Sequence, residues 1–125
     1  LDNQPYNHST KHIGFVYLII NHTTQKFYIG KKSFNKNWEK YTGSSSKLNL
    51  HIQQGHLISK HIVHLCQTKS ELNYVELYLQ VVTNAINDPR FYNEYIQAKV
   101  KTSRQVQSID LNNIIESFRR TVTNP

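Results

Sequence analysis

Gly14-Phe-Val-Tyr-Leu-Ile-Ile20 and Lys26-Phe-Tyr-Ile-Gly30 are two short runs of β-branched and aromatic residues, separated by the polar stretch Asn21-His-Thr-Thr-Gln25. Two such runs around a turn-like segment predict an antiparallel hairpin. Each arm carries a tyrosine, Tyr17 and Tyr28. Side chains alternate along a strand, so a suitable register places both phenols on one face. An unperturbed phenol ionises near pH ~10, so it can relay a proton at neutral pH only with help from a cation.

Working outward, Lys31 to Ser46 is basic, aromatic and irregular, with Gly43 followed by three serines. Those serines offer a cap for a helix over 46–54, where Leu48 and Ile52 share a face and Gly55 is placed to end it. Leu57 to Cys66 reads as a third strand. Thr68 or Ser70 can cap a helix over 70–84, with Leu72, Val75, Tyr78, Leu79 and Val82 at helical spacing and Asn73, Glu76 and Gln80 as a polar stripe. Asp88-Pro89 breaks the chain. A short helix is expected over Phe91–Ala98, then a basic connector over Lys99–Gln107. A capped amphipathic helix over Ser108–Arg120 follows, carrying Leu111, Ile114, Ile115 and Phe118. The sum is an α+β arrangement in which helices flank a small antiparallel sheet. The organisation expected is a flexible segment 1–12, a domain over 13–98, and a connector with a C-terminal helix over 99–125.

The chain has 125 residues, enough for one domain, with 15 lysines and arginines against 8 carboxylates and a net charge of +7. That surplus favours a polyanion: nucleic acid or an acidic membrane surface. The membrane surface is the weaker reading, because 108–120 holds only Arg119 and Arg120 as bases. The carboxylates form no DxD or ExE cluster, which argues against a carboxylate-rich two-metal site. The single cysteine, Cys66, excludes an internal disulfide and a cysteine-based zinc finger, and its apolar surroundings predict a buried thiol. No run approaches the ~18 apolar residues of a membrane span, and no signal peptide is visible. The expected setting is intracellular, the cytoplasm of a bacterial host or infected cell. The absence of methionine suggests a processed chain or a piece of a longer one.

Several residues could carry chemistry. Gly30-Lys31-Lys32 at a strand end suits a phosphate. Glu76, alone in the polar stripe of an apolar helix, can hold one Mg²⁺ whose other ligands are water and substrate oxygens. Asn93 could bond across the site or cap its own turn. Lys31, Lys32, Lys36, Lys40 and Lys47 surround Trp38 and Tyr41, a mixture of bases and aromatics that suits a DNA backbone. Lys99, Lys101 and Arg104 form a second basic stretch. His51, His56, His61 and His64 crowd one region. His61 and His64 are expected on opposite faces of their strand, so no face gathers three histidines for zinc.

The order Tyr17, then Tyr28-Ile-Gly30 eleven residues on, then Glu76 and Asn93, resembles the GIY-YIG nuclease superfamily. Tyr28-Ile-Gly-Lys-Lys-Ser-Phe34, with Trp38 and Tyr41-Thr-Gly-Ser-Ser45, is similar to its phage-type members, including homing endonucleases. The similarity covers about residues 13–97. It implies a three-stranded antiparallel sheet flanked by helices and divalent-metal-dependent hydrolysis of a DNA phosphodiester. It further implies one Mg²⁺ or Mn²⁺ per site on Glu76, with Tyr17 and Tyr28 as the motif tyrosines. One tyrosine would take the proton of the attacking water, and the other would hold the site or the phosphate. Asn93 would support the site, Lys31 would follow the motif glycine, and Tyr41 would stand where the family carries His or Tyr. Two positions depart from the pattern. The first motif reads Phe-Val-Tyr, and the family arginine seven or eight residues after Gly30 is replaced by Asn37 or Trp38. Lysine supplies the charge of an arginine but not its bidentate fork. Lys31, Lys32, Lys36 or Lys40 would then substitute, or activity would be reduced. The alternative is a non-catalytic basic DNA-binding module derived from a nuclease. The missing arginine favours it; the retention of Tyr17, Tyr28, Glu76 and Asn93 together argues against it. A single site cuts one strand per event, so double-strand cleavage would call for a homodimer or repositioning.

Overall fold

The continuous apolar run of the first arm becomes the centre of the sheet. In the computed structural model, which describes residues 11–96 and 98–124, strand β1 (Gly14–Asn21) is buried along all eight residues. It lies between β2 (Lys26–Ser33) and β3 (Ile58–Cys66), antiparallel to both, in the order β2-β1-β3. A strand covered on both faces needs apolar side chains on both, which explains its lack of alternation. Asn21 closes the hairpin by accepting from the backbone N–H groups of Thr23 and Thr24, an Asx turn.

The register pairs Tyr17 with Gly30 and Ile19 with Tyr28, so both phenols do share a face. On the other side of β1, an irregularity between Val16 and Tyr17 shifts the pairing with β3. Leu18 faces His61 and Val16 faces His64. The bulge therefore brings His61 and His64 to the same side of the sheet, where simple alternation places them on opposite faces.

Each face of the sheet has its own apolar cluster. Val16, Leu18 and Ile20 pack with Leu72, Val75 and Leu79 of α2 (Lys69–Val82) and with Ile114, Ile115 and Phe118 of α4 (Leu111–Thr123). Phe15, Tyr17 and Ile19 pack with Trp38, Tyr92 and Leu48 of α1 (Ser46–Gln53). Side-chain caps set the helix starts: Ser45 accepts from Leu48, Thr68 from Glu71 and Asp110 from Asn113. Of the two candidate caps for α2, Thr68 is the one used. The architecture is the α+β fold expected, an open three-stranded antiparallel sheet flanked by helices.

Two further local expectations change. Residues 91–96 are not helical. Phe27 and Phe91 form a parallel bridge, with Phe27 N–H donating to Arg90 and Tyr92 N–H to Phe27. The free edge of β2 offers these backbone partners, and they outweigh a weak local helix preference. The segment read as a connector contains a short helix, α3 (Arg104–Gln107), capped by Ser103, and α4 starts after Asp110 rather than at Ser108. The segment 1–10 and Gln97 lie outside the described residues. Among the described residues no helix is long and apolar enough to cross a membrane.

Candidate active site

A cleft of about 350 Å³ gathers Tyr17, Tyr28, Lys31, Tyr41, Glu76 and Asn93, joined by Ser44–Ser46, Gln80, Tyr92, Glu94 and Tyr95. Six residues singled out in the sequence thus meet in one place, brought by β1, β2, α2 and two connecting segments. Lys32 is not in the lining; its ammonium sits 4.4 Å from the centre of the Tyr41 ring. Lys36, Lys40 and Lys47 are exposed on the surface beyond the lining. Trp38 is buried, edge-on to Phe15 at 5.5 Å and to Phe34 at 5.0 Å, so the structure assigns its ring to the core rather than to a DNA-facing surface.

Tyr17 is fully buried, and its hydroxyl has no hydrogen-bond partner. Burial raises its pKa, and Tyr28, Tyr41 and Glu76 raise it further, so the phenol keeps its proton. Two glycines make room for it. A Cβ on Gly30 would run into the Tyr17 hydroxyl and ring. A Cβ on Gly43, whose φ is +91°, would run into Tyr28 and stand 3.0 Å from the Tyr17 hydroxyl. The loop holding Gly43 is pinned on both sides. Asn49 accepts from Thr42 Oγ1 and donates to the Gly43 carbonyl at 3.1 Å. Lys60, from the middle of β3, donates to the carbonyls of Trp38 and Tyr41. This lysine is 7% exposed, lies 4.8 Å from the Tyr17 ring centre, and burial lowers its pKa to about 8.

Glu76 sits on the inner stripe of α2. Burial pushes its carboxyl up to about 7 against the opposing pull of Lys31, whose ammonium is 3.8 Å away. Lys31 also donates to Oδ1 of Asn73, one turn before Glu76. The other end of that amide donates to the carbonyl of Lys99 at 2.8 Å, which fixes which end faces Lys31. Asn93 bonds across the site: Oδ1 accepts from Ile29 N–H at 3.0 Å and Nδ2 donates to the Ile29 carbonyl at 2.8 Å. It reads the edge of β2 as another strand would. Gln80 adds a bond to the same carbonyl.

An all-oxygen set of Glu76 and an unpartnered Tyr17 hydroxyl in a polar cleft fits a hard cation such as Mg²⁺ or Mn²⁺. A second group of candidate ligands, His64, Cys66 and Glu71, lies elsewhere. There Glu71 accepts from His64 at 2.7 Å, from Gln67 N–H and from Gln105, so its oxygens are already engaged in fixing the start of α2 and the position of α3. Cys66 is fully buried and burial raises its pKa, matching the expected inert thiol. His51 and His56 stack at 4.5 Å, with His51 bonded to the Tyr92 hydroxyl.

Lys60, Ser46 and Glu94 have no sequence signal tying them to the tyrosines. The polar stripe on α2 did contain Asn73 and Gln80, and a buried stripe beside a sheet edge is the available clue.

An open antiparallel sheet with paired tyrosines on adjacent strands, faced by one buried helical glutamate, defines a GIY-YIG nuclease domain. The chain belongs to that family: residues 1–96 match the family described as "Putative endonuclease segE, GIY-YIG domain". No curated protein and no solved structure matches the chain.

Proposed function

We propose that the protein is an endonuclease that hydrolyses DNA phosphodiesters with one Mg²⁺ or Mn²⁺ held by Glu76, in a phage or mobile element acting inside a bacterial cell. The observation that carries this reading is the convergence of Tyr17, Tyr28, Lys31, Tyr41, Glu76 and Asn93 on one cleft. A bound divalent ion supplies positive charge for the phosphate and eases ionisation of a neighbouring group. The chain's own residues do the rest. Tyr17 presents an unspent hydroxyl to the substrate, and one of the two motif tyrosines, ionised beside the ion with its own proton lost to solvent, would take the proton of the attacking water. Lys31, held by Asn73, meets the charge that develops on phosphate oxygen. Asn93 fixes the edge of β2, and with it Tyr28 and Gly30. Exposed Lys36, Lys40 and Lys47 carry flanking phosphates. The catalytic unit is 13–98, with 99–125 as its extension, and pairing of two copies would cut both strands.

A supercoiled-plasmid nicking assay tests the proposal. Mg²⁺ or Mn²⁺ should support nicking, EDTA should stop it, and Glu76→Ala should abolish it while folding and DNA binding persist. Full cleavage by Glu76→Ala sinks the assignment. Binding without cleavage by the wild-type chain in either ion would favour the non-catalytic module, the reading consistent with a cleft that has no arginine among its described lining residues.

A further inference from the structure

The position of the missing arginine is not refilled from its own segment: Trp38 is buried and Asn37 has a left-handed φ of 68°. Ser44, Ser45 and Ser46 line the cleft where the pinned Gly43 loop runs into α1. The Ser45 hydroxyl is spent on the N–H of Leu48. The first backbone N–H groups of a helix have no intrahelical acceptor and carry its positive dipole end. The same cleft holds the fully buried, unpartnered hydroxyl of Tyr17. A helix start and an unspent donor thus address one space, in a loop that Asn49 and Lys60 hold rigid. Glu76 and Glu94 also line the cleft and repel anions, and Lys31 stands against Glu76 as its counter-charge.

We propose that the start of α1, with the Ser44 and Ser46 hydroxyls and the Tyr17 hydroxyl, is a seat for a phosphodiester group of the bound nucleic acid. It supplies from backbone dipoles part of the positive potential that the absent arginine would have given. This rests on the nuclease reading for the identity of the ligand; the phosphate chemistry itself does not.

The test uses the full ¹⁵N-labelled chain without divalent ion, titrated with inorganic phosphate and with a duplex carrying non-cleavable phosphorothioates. Amide shifts at Ser46 and Lys47 are expected with both. Ser46→Asp puts a carboxylate where a helix start tolerates it, so melting should be unchanged or raised. Duplex affinity should fall by about tenfold at low salt. Asn112→Asp, the same charge change at the start of α4, should lower affinity less than about twofold. Equal losses in the two variants, or shifts that avoid Ser46 and Lys47, overturn the seat. Shifts with inorganic phosphate but not with the duplex overturn its assignment to nucleic acid. Phosphate shifts in a chain that never cleaves with Mg²⁺ or Mn²⁺ leave the seat standing and sink the nuclease reading instead.

Discussion

Nζ of Lys31 stands 3.8 Å from Oε1 of Glu76, and the carboxyl nevertheless titrates at about 7 because burial outweighs that cation. In the unfolded chain the group returns to its ordinary value of 4.5. The folded state therefore binds more protons between pH 4.5 and 7, and stability falls as pH rises through that window. Below it the penalty is absent; above it the penalty is complete, on the order of 3 kcal/mol. Glu76→Gln should be more stable than wild type at pH 8, with the gap closing by pH 4 in urea denaturation. Mg²⁺ at pH 8 should raise the wild-type midpoint and leave that of Glu76→Gln unmoved.

Lys60 gives the opposite slope. Its pKa falls from 10.5 to about 8 on burial, so the folded state holds fewer protons between those values and wild-type stability rises across that range. Lys60→Met should lack the rise. It also strips the donor from the Trp38 and Tyr41 carbonyls. Amide exchange over residues 38–43 should accelerate, and plasmid nicking should slow, because that loop carries Tyr41 and Gly43 into the cleft.

Asn93 makes two buried bonds to one residue of β2. Asn93→Leu leaves Ile29 N–H unsatisfied, while its carbonyl keeps only the longer bond from Gln80 at 3.3 Å. A loss of about 2–3 kcal/mol is expected in chemical denaturation. Nicking should fall further than stability explains, because β2 holds Tyr28, Gly30 and Lys31.

What is legible in the sequence follows the range of the interaction. The hairpin, α2 and the shared face of Tyr17 and Tyr28 depend on neighbours or on strand alternation, and both are written locally. The segment after Pro89 departs from its local helix expectation because Phe91-Tyr92-Asn93 takes its shape from the free edge of β2, a partner some 64 positions away. Trp38 looked like a surface aromatic among lysines because nothing local shows that Phe15 and Phe34 enclose it. The bulge opposite Val16 is equally invisible in an apolar run, and it moved His64 toward Glu71. Asn73 could be seen as polar on an apolar helix, yet its role depends on Lys31 and on the Lys99 carbonyl, both far along the chain.

Tyr17 is where stability and activity should separate most cleanly. Its hydroxyl is buried without a partner, which costs the fold about 1–3 kcal/mol relative to a satisfied group. Tyr17→Phe removes one oxygen, leaves the ring packed against Phe15 at 5.8 Å and Tyr28 at 6.2 Å, and discharges that cost. The variant should therefore unfold at a higher urea concentration than wild type by roughly 1 kcal/mol of stability. If the hydroxyl meets the substrate in the cleft, nicking should drop about 100-fold or more in the same variant. Tyr28 is half-buried, so Tyr28→Phe should leave stability nearly unchanged and serves as the control for the stability measurement alone. A Tyr17→Phe chain that is less stable than wild type would mean the hydroxyl serves the fold through a bound partner. One that is more stable and still fully active would remove it from the chemistry. Gain of stability with loss of cleavage is the outcome expected of an oxygen held in place for a substrate.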